Sequence, residues 1–578
     1  MSVNSLTENE TLTIIQDGNT VRVVEEEDEV VIVANLDGGG VRDYNRLMNK
    51  PSINGYVLAG DMVITDADLR PVLVKDESGE YSTISQYFNA HRNGLIYSIK
   101  IPKYASNDGT VCVKADANTG MVCEPSTNLE VGRDDYAAMK DGPFIIIDGC
   151  NGTVDADGLP HVYAISGDTT FEKDGSNGDV WVAAPVLWWK LDDTTDNDYV
   201  IVSISDSFHT GFDVQPGAKL PDGSLRPYML YAKYPGVMVD SAYMSASGYP
   251  VKGFESHNTL VDKCALRGDG FAPSTHADDW YASTMFYMKY AHKSSQDVYG
   301  GCTSYNIQVF ASVAEQSAER IILANADAAN LVVGSSVALG SMNGDATKSK
   351  DRGSAWTRDV VSIAKITSIE DYDENNKAVS LDVDEPFDTV ANTTLLSTMA
   401  WFTGCCDQVL GRDGSIATPT SMKYPFKVQG IELMHGYYEV LGNVATYIYV
   451  TQGDEQKCDV YICYDSHDDL KTTSNYTNTE VSLGCKEAGG WVYQEDIANA
   501  GGLYVGVGTQ ATTAKGTGDG TYSNTKAAST GVFNAFCSRG PLFNGAAYGL
   551  RSAYVLYGLG SSSWAYAGRP SALGRSAA

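Results

Sequence analysis

From residue 94 onward the chain reads as short apolar stretches broken every few residues by Gly, Asn and Asp. Such spacing is too short for helices and predicts strands joined by tight turns, so the expected class is α+β, mostly β and loop. The same pattern starts earlier. Residues 11–15 and 20–24 flank Asp17-Gly18, a hairpin signature, and residues 30–34 follow across the acidic run 25–29, which reads as a solvated turn. One segment has a helical period instead. Trp280, Thr284, Tyr287 or Met288 and Ala291 share a face between 274 and about 293. Ser274 or Thr275 can cap it, Asp278 and Asp279 suit its first turn, and Lys289, His292 and Lys293 suit its last. A core helix packed on a sheet is expected there.

Turn signals divide the chain further. Residues 1–45 form a short N-terminal β region, and 46–93 a linker with a turn at Asn54-Gly55. Residues 94–309 and 401–578 form two parts of one main domain. Between them, 310–400 carries strand-like pieces at 317–323, 330–334, 359–369 and 378–383 and reads as an inserted small β domain. Residues 174–190 read as a turn followed by one aromatic-rich strand, with Pro185 at an edge or bulge.

Charge changes this picture. Across 578 residues, 41 Lys+Arg against 73 Asp+Glu give −32. A surface that grips polyphosphate needs the opposite balance, so no nucleic-acid partner is expected. The charge is also uneven. Asp519 is the last carboxylate, and the 59 residues after it hold Lys526, Arg539, Arg551, Arg569 and Arg575. The first 519 residues therefore carry 36 − 73 = −37 and the tail +5. A chain that changes sign at its end is expected to do something different there.

The start lacks the basic and apolar regions of a secretory signal, so folding in a cytoplasm is expected. No apolar run is long enough to cross a bilayer, and no membrane insertion is expected. The cysteines, an odd eleven with no CxxC spacing, read as free buried thiols, with Cys405-Cys406 as packing. No cofactor and no metal are expected. The His residues, His209, His257, His276, His435 and His467 among them, are scattered, and none has a nucleophile context.

The tail is rich in Tyr, Ser, Gly and Arg, the residues of adaptable recognition surfaces. Several segments carry a resemblance. Residues 43–61 resemble a YNDLxNKPSINGxxLxG segment of phage tail and baseplate proteins. Residues 174–216 resemble a run in phage tail proteins with C-type-lectin-like domains, with Ala183-Ala184 for Glu-Ile and Gln215 for His. Residues 423–438 resemble the formylglycine-generating-enzyme-like branch of that fold through Gly430-Ile431-Glu432 and Gly436. The tail resembles the variable region of C-type-lectin-like proteins diversified by retroelements, the family of the phage major tropism determinant. It matches at 536–540, Asn544-Gly545, Gly549-Leu550, Ala553, Trp564 and Gly568-Arg569-Pro570.

That resemblance implies a C-type-lectin-like fold with a variable region at about 540–570. Template-adenine positions fall on Leu542, Tyr548, Tyr554, Leu556, Tyr557, Ser561, Ser563 and Ala565, with Phe543, Ser552 and Tyr566 beside them. These are the expected ligand-binding residues. Trp564, Arg539, Arg551 and Arg569 are the expected framework, the arginines pairing with the acidic body. Catalysis is not expected: Cys537 is the only cysteine after Cys485, where formylglycine generation needs a pair, and the tail has no acids to hold calcium. The implied function is host adhesion by a phage tail-tip receptor-binding protein on the virion. Its ligand is a bacterial surface protein or glycan, and its N-terminal region meets other tail or baseplate proteins. A homo-oligomer, a trimer by analogy with phage fibres, is expected. The alternatives are a tail-associated polysaccharide depolymerase and a bacterial surface adhesin.

Overall fold

The computed structural model describes residues 13–17, 20–24, 29–32, 52–53, 56–57, 73–75, 81–107, 109–452, 455–487, 489–510, 516–523 and 531–577. Backbone contacts divide the chain into two units, 1–87 and 88–578. In the first, Thr13–Asp17, Thr20–Val24 and Glu29–Ile32 form a three-stranded antiparallel sheet in which Asp17 pairs with Thr20. Ser52–Ile53 pairs with Tyr56–Val57, and Leu73–Lys75 with Tyr81–Thr83. Residues 25–28 of the acidic run, and Asn54 and Gly55, lie outside the described residues.

The second unit is mostly β. Ile147–Val154, Pro160–Ile165, Asp179–Ala184 and Met229–Ala232 form one sheet. Tyr97–Pro102, Val113–Asp116, Trp188–Asp192, Tyr199–Ser205 and Asp213–Val214 form another. The single strand expected over 174–190 is thus two strands in different sheets. Pro185 has no N–H to continue a ladder, and the chain changes sheet there.

The helix His276–Tyr290 sits at the centre. Thr275 caps it reciprocally with Asp278, and Ala291 ends it in a left-handed conformation, φ 55°. Every residue in it is buried, which corrects the one-faced helix of the sequence pattern. Trp280, Tyr281, Met285, Phe286 and Tyr287 fill the largest core. Its charged positions are paired inside: Lys289 Nζ lies 2.9 Å from Asp413 and 3.1 Å from Asp134. A second helix, His257–Ala265, carries only a Ser256/Thr259 capping box as its sequence signal.

The insert has a sheet and a core of its own. Six strands run in the order Gln308–Phe310, Thr394–Met399, Ser336–Ser341, Val361–Asp371, Asn376–Leu381 and Arg320–Ala324. They enclose a cluster that includes Ile321, Leu323, Val337, Leu339, Ile366 and Val379. The strand-like piece at 330–334 is a loop, ended by Gly334 at φ +87°, and the strand follows at Ser336–Ser341.

The C-terminal third builds the largest sheet. Its order is Thr477–Ser482, Gln456–Ile462, Tyr438–Val450, Val532–Ser538, Ala553–Val555, Gly520–Ser523 and Gly490–Tyr493. Tyr566–Ala567 adds in parallel to Tyr438–Val450, and Pro570–Ser571 pairs with Ala272–Pro273. The tail is therefore stitched into the body at four places, with loops 539–552 and 556–565 between the stitches. Among the described residues no helix is long and apolar enough to cross a membrane.

Candidate functional site

The acid-free tail meets the acids of the body inside the protein. Glu439 opens the long strand beside Tyr438 and takes two guanidinium groups: Arg569 Nε at 2.9 Å, and Arg539 through Nη1. Ser274 Oγ donates to the same carboxylate at 2.7 Å. Arg539 also reaches Asp279 at 3.1 Å, and Arg569 donates to the carbonyls of Ala232 and Glu432. Arg551 pairs with Asp519 at 2.6 Å and stacks over Tyr287. All three arginines are buried, so each charge needs its partner. Burial pushes the Glu439 carboxyl up, but Arg539 and Arg569 outweigh it and hold it at about 2. Burial pushes Asp279 up to about 6 against the pull of Arg539.

Above this layer lies a stack of aromatic rings centred on Tyr438. Its ring centroid lies 4.3 Å from Tyr554, 5.5 Å from Tyr566, 5.6 Å from Tyr548 and 6.4 Å from Phe543. Tyr548 Oη and Asn544 Nδ2 donate to Tyr438 Oη at 3.0 and 2.8 Å. Trp491 packs on Tyr548, and Tyr522 stacks on Tyr554 at 5.2 Å. Gly540 is where it is because Tyr548 covers it: a Cβ there would lie 2.2 Å from the ring.

The eleven expected ligand-binding residues separate by depth. Phe543 and Tyr557 are 39% and 48% exposed, and Tyr554, Leu556, Ser561 and Ser563 are half-buried. Leu542, Tyr548, Ser552, Ala565 and Tyr566 are buried, which corrects their assignment to a contact surface. Each has a structural reason. Leu542 packs with Cys302, Tyr305, Trp401 and Cys406. Tyr548 and Tyr566 belong to the Tyr438 stack, the Ser552 hydroxyl donates to Gly549 O at 2.9 Å, and the Ala565 carbonyl accepts from Tyr438 N. Trp564 is half-buried, 5.7 Å from Phe543 and 5.4 Å from the guanidinium of Arg352 in the insert.

Sequence reasoning missed Tyr438, Trp491 and Tyr522. Tyr438 ends a motif that is legible only as a sheet position. The other two sit in short strands without a motif. It also missed a cleft of 260 Å³ between the insert and the main domain, lined by Phe254, Arg358, Ile363, Met399, Tyr437 and Trp564.

Among the described residues, two groups of side chains are close enough to gather a metal: Cys405, Cys406 and Glu432, and Cys123, Asp134 and Asp413. Their carboxylates are already engaged. Glu432 accepts from Gly404 N at 2.9 Å and Cys406 N at 2.7 Å, and His435 Nε2 lies 2.9 Å away. Asp134 and Asp413 hold Lys289. Burial pushes the Cys405 and Cys406 thiols up, so both are held neutral. All eleven cysteines are unpaired thiols. No protein-family model matches the chain, and no curated protein matches it.

Proposed function

We propose that this is a receptor-binding protein of a phage tail tip, with a C-type-lectin-like domain whose C-terminal loops bind a bacterial surface molecule. One observation carries the reading. Within a single acid-free segment, buried arginines and rings build a rigid base, and Phe543 and Tyr557 stand exposed on it. Tyr and Phe on a rigid base supply contact area at low entropic cost, which suits recognition rather than chemistry. The N-terminal 1–93 would attach to other tail or baseplate proteins. Several copies on one particle, a trimer by analogy, would raise avidity through effective concentration.

The test is binding of the full-length protein to a panel of bacterial strains. At least one strain is expected to bind it, and Phe543→Ser with Tyr557→Ser to lose that binding with the fold intact. Unchanged binding by the double variant would overturn the proposed surface. Reducing ends released from the bound strain's capsule would overturn the binding-only reading in favour of a depolymerase.

A further inference from the structure

The cleft beside Trp564 contains a charge without a partner. Arg358 ends a short 3-10 turn of the insert and lies over the Phe254 ring, its guanidinium carbon 4.1 Å from the centroid. Among the described residues its side chain makes no hydrogen bond and no ion pair, and its Nε is buried without an acceptor. Burial alone pushes it down, with no carboxylate near enough to oppose. This is unusual in a chain with 73 carboxylates. The nearby Arg352 shows the contrast, since it donates to Thr398 O at 2.7 Å, Asn306 Oδ1 at 2.7 Å and Ile307 O at 3.0 Å.

The surroundings indicate what is missing. Stacking on Phe254 holds the guanidinium plane and leaves its edge for a planar two-oxygen acceptor. A second cation, Lys252, lines the cleft, and it shares the carboxylate of Glu255, 3.5 Å away, with Lys263 at 3.3 Å. Apart from Ser362, the remaining wall is apolar, with Ile363, Met399 and the rings of Tyr437 and Trp564. At 260 Å³ the cleft lies at the small end for ligand sites and suits one ring rather than an extended chain.

We propose that this cleft binds a carboxylated sugar unit, a uronic-acid-type residue of an acidic surface glycan, with its carboxylate on Arg358 and its C–H face on Trp564. The inference rests on the receptor-binding reading and gives it a ligand class. It also gives the insert a role, since Arg358, Ser362, Ile363 and Met399 are its residues. The neighbouring Phe543, 5.7 Å from Trp564, continues the contact onto the C-terminal loops.

The experiment is saturation-transfer NMR on the full chain with glucuronate and with its neutral amide, glucuronamide. Glucuronate is expected to bind, and glucuronamide to bind at least about tenfold more weakly, because an ion pair with two acceptor oxygens becomes a bond from the guanidinium to one neutral oxygen. Arg358→Gln should weaken glucuronate by a similar factor, and Ser362→Trp, entering from an exposed position, should block it. Equal binding of acid and amide, or glucuronate binding unaffected by both cleft variants, overturns the inference. If a strain is bound by wild type and Arg358→Gln alike but not by Phe543→Ser/Tyr557→Ser, the cleft proposal fails and the receptor-binding reading survives. If none of these variants changes strain binding, that reading fails as well.

Discussion

Two parts of the same C-terminal segment have opposite designs. Arg539, Arg551 and Arg569 are buried against Glu439, Asp279 and Asp519, while Phe543 and Tyr557 project from the loops between them. The first set closes charges in a low-dielectric interior, where losing one partner is costly. The second touches mostly its own aromatic neighbours, where replacement is cheap. A segment built this way can change its exposed positions without unfolding, because the fold does not depend on them. The same contrast explains why the chain's charge breaks at Asp519: the tail supplies the cations that the acidic body needs inside.

The largest effect should come from the buried pair. Arg569→Ala leaves Glu439 with Arg539 as its one cation and removes donors from two carbonyls, so it is expected to cost about 4 kcal/mol in denaturant unfolding. A loss under about 1 kcal/mol would break the contrast between the two sets. Next comes a test of the base under the segment. His276 is buried next to Asn443 Nδ2 at 2.8 Å, and burial pushes it down to about 4. Its folded value lies below the unfolded one of about 6.5, so its neutral form stabilises the fold above pH 6.5, and that contribution is lost as pH falls toward 4. The stability difference between wild type and His276→Asn is therefore expected to shrink by about 3 kcal/mol from pH 7 to pH 4. A pH-independent difference would contradict the buried placement.

Smaller effects sharpen the boundary. Tyr548→Phe keeps the ring against Gly540 and removes only the 3.0 Å bond to Tyr438 Oη, for about 1 kcal/mol by thermal unfolding. Tyr557→Ser, half-exposed, should change stability by less than about 0.5 kcal/mol. If Tyr557→Ser costs more than Tyr548→Phe, the two sets are wrongly divided.

Much of the fold is legible in the sequence where local chemistry dominates. Thr275 with Asp278 marks the central helix, and the polar turns around 310–400 mark a self-contained sheet. The helix's burial on all sides is not legible, because Lys289 and Asp279 look solvent-facing until their partners from distant segments are known. The arginine frame is visible as a charge break, without its partners. The division of the tail's tyrosines is not visible. Tyr548, Tyr557 and Tyr566 lie among Gly, Ala and Ser with no period, and Tyr438, more than 100 residues upstream, decides which are covered. The cleft is hidden for the same reason, since Phe254, Arg358 and Trp564 meet only in three dimensions.

The most direct test pairs binding with stability in one protein. Wild type and Phe543→Ser/Tyr557→Ser should unfold within about 0.5 kcal/mol of each other, and only wild type should bind a strain from the panel. Equal binding by both proteins, or a double variant that loses binding only because it unfolds, would contradict the account.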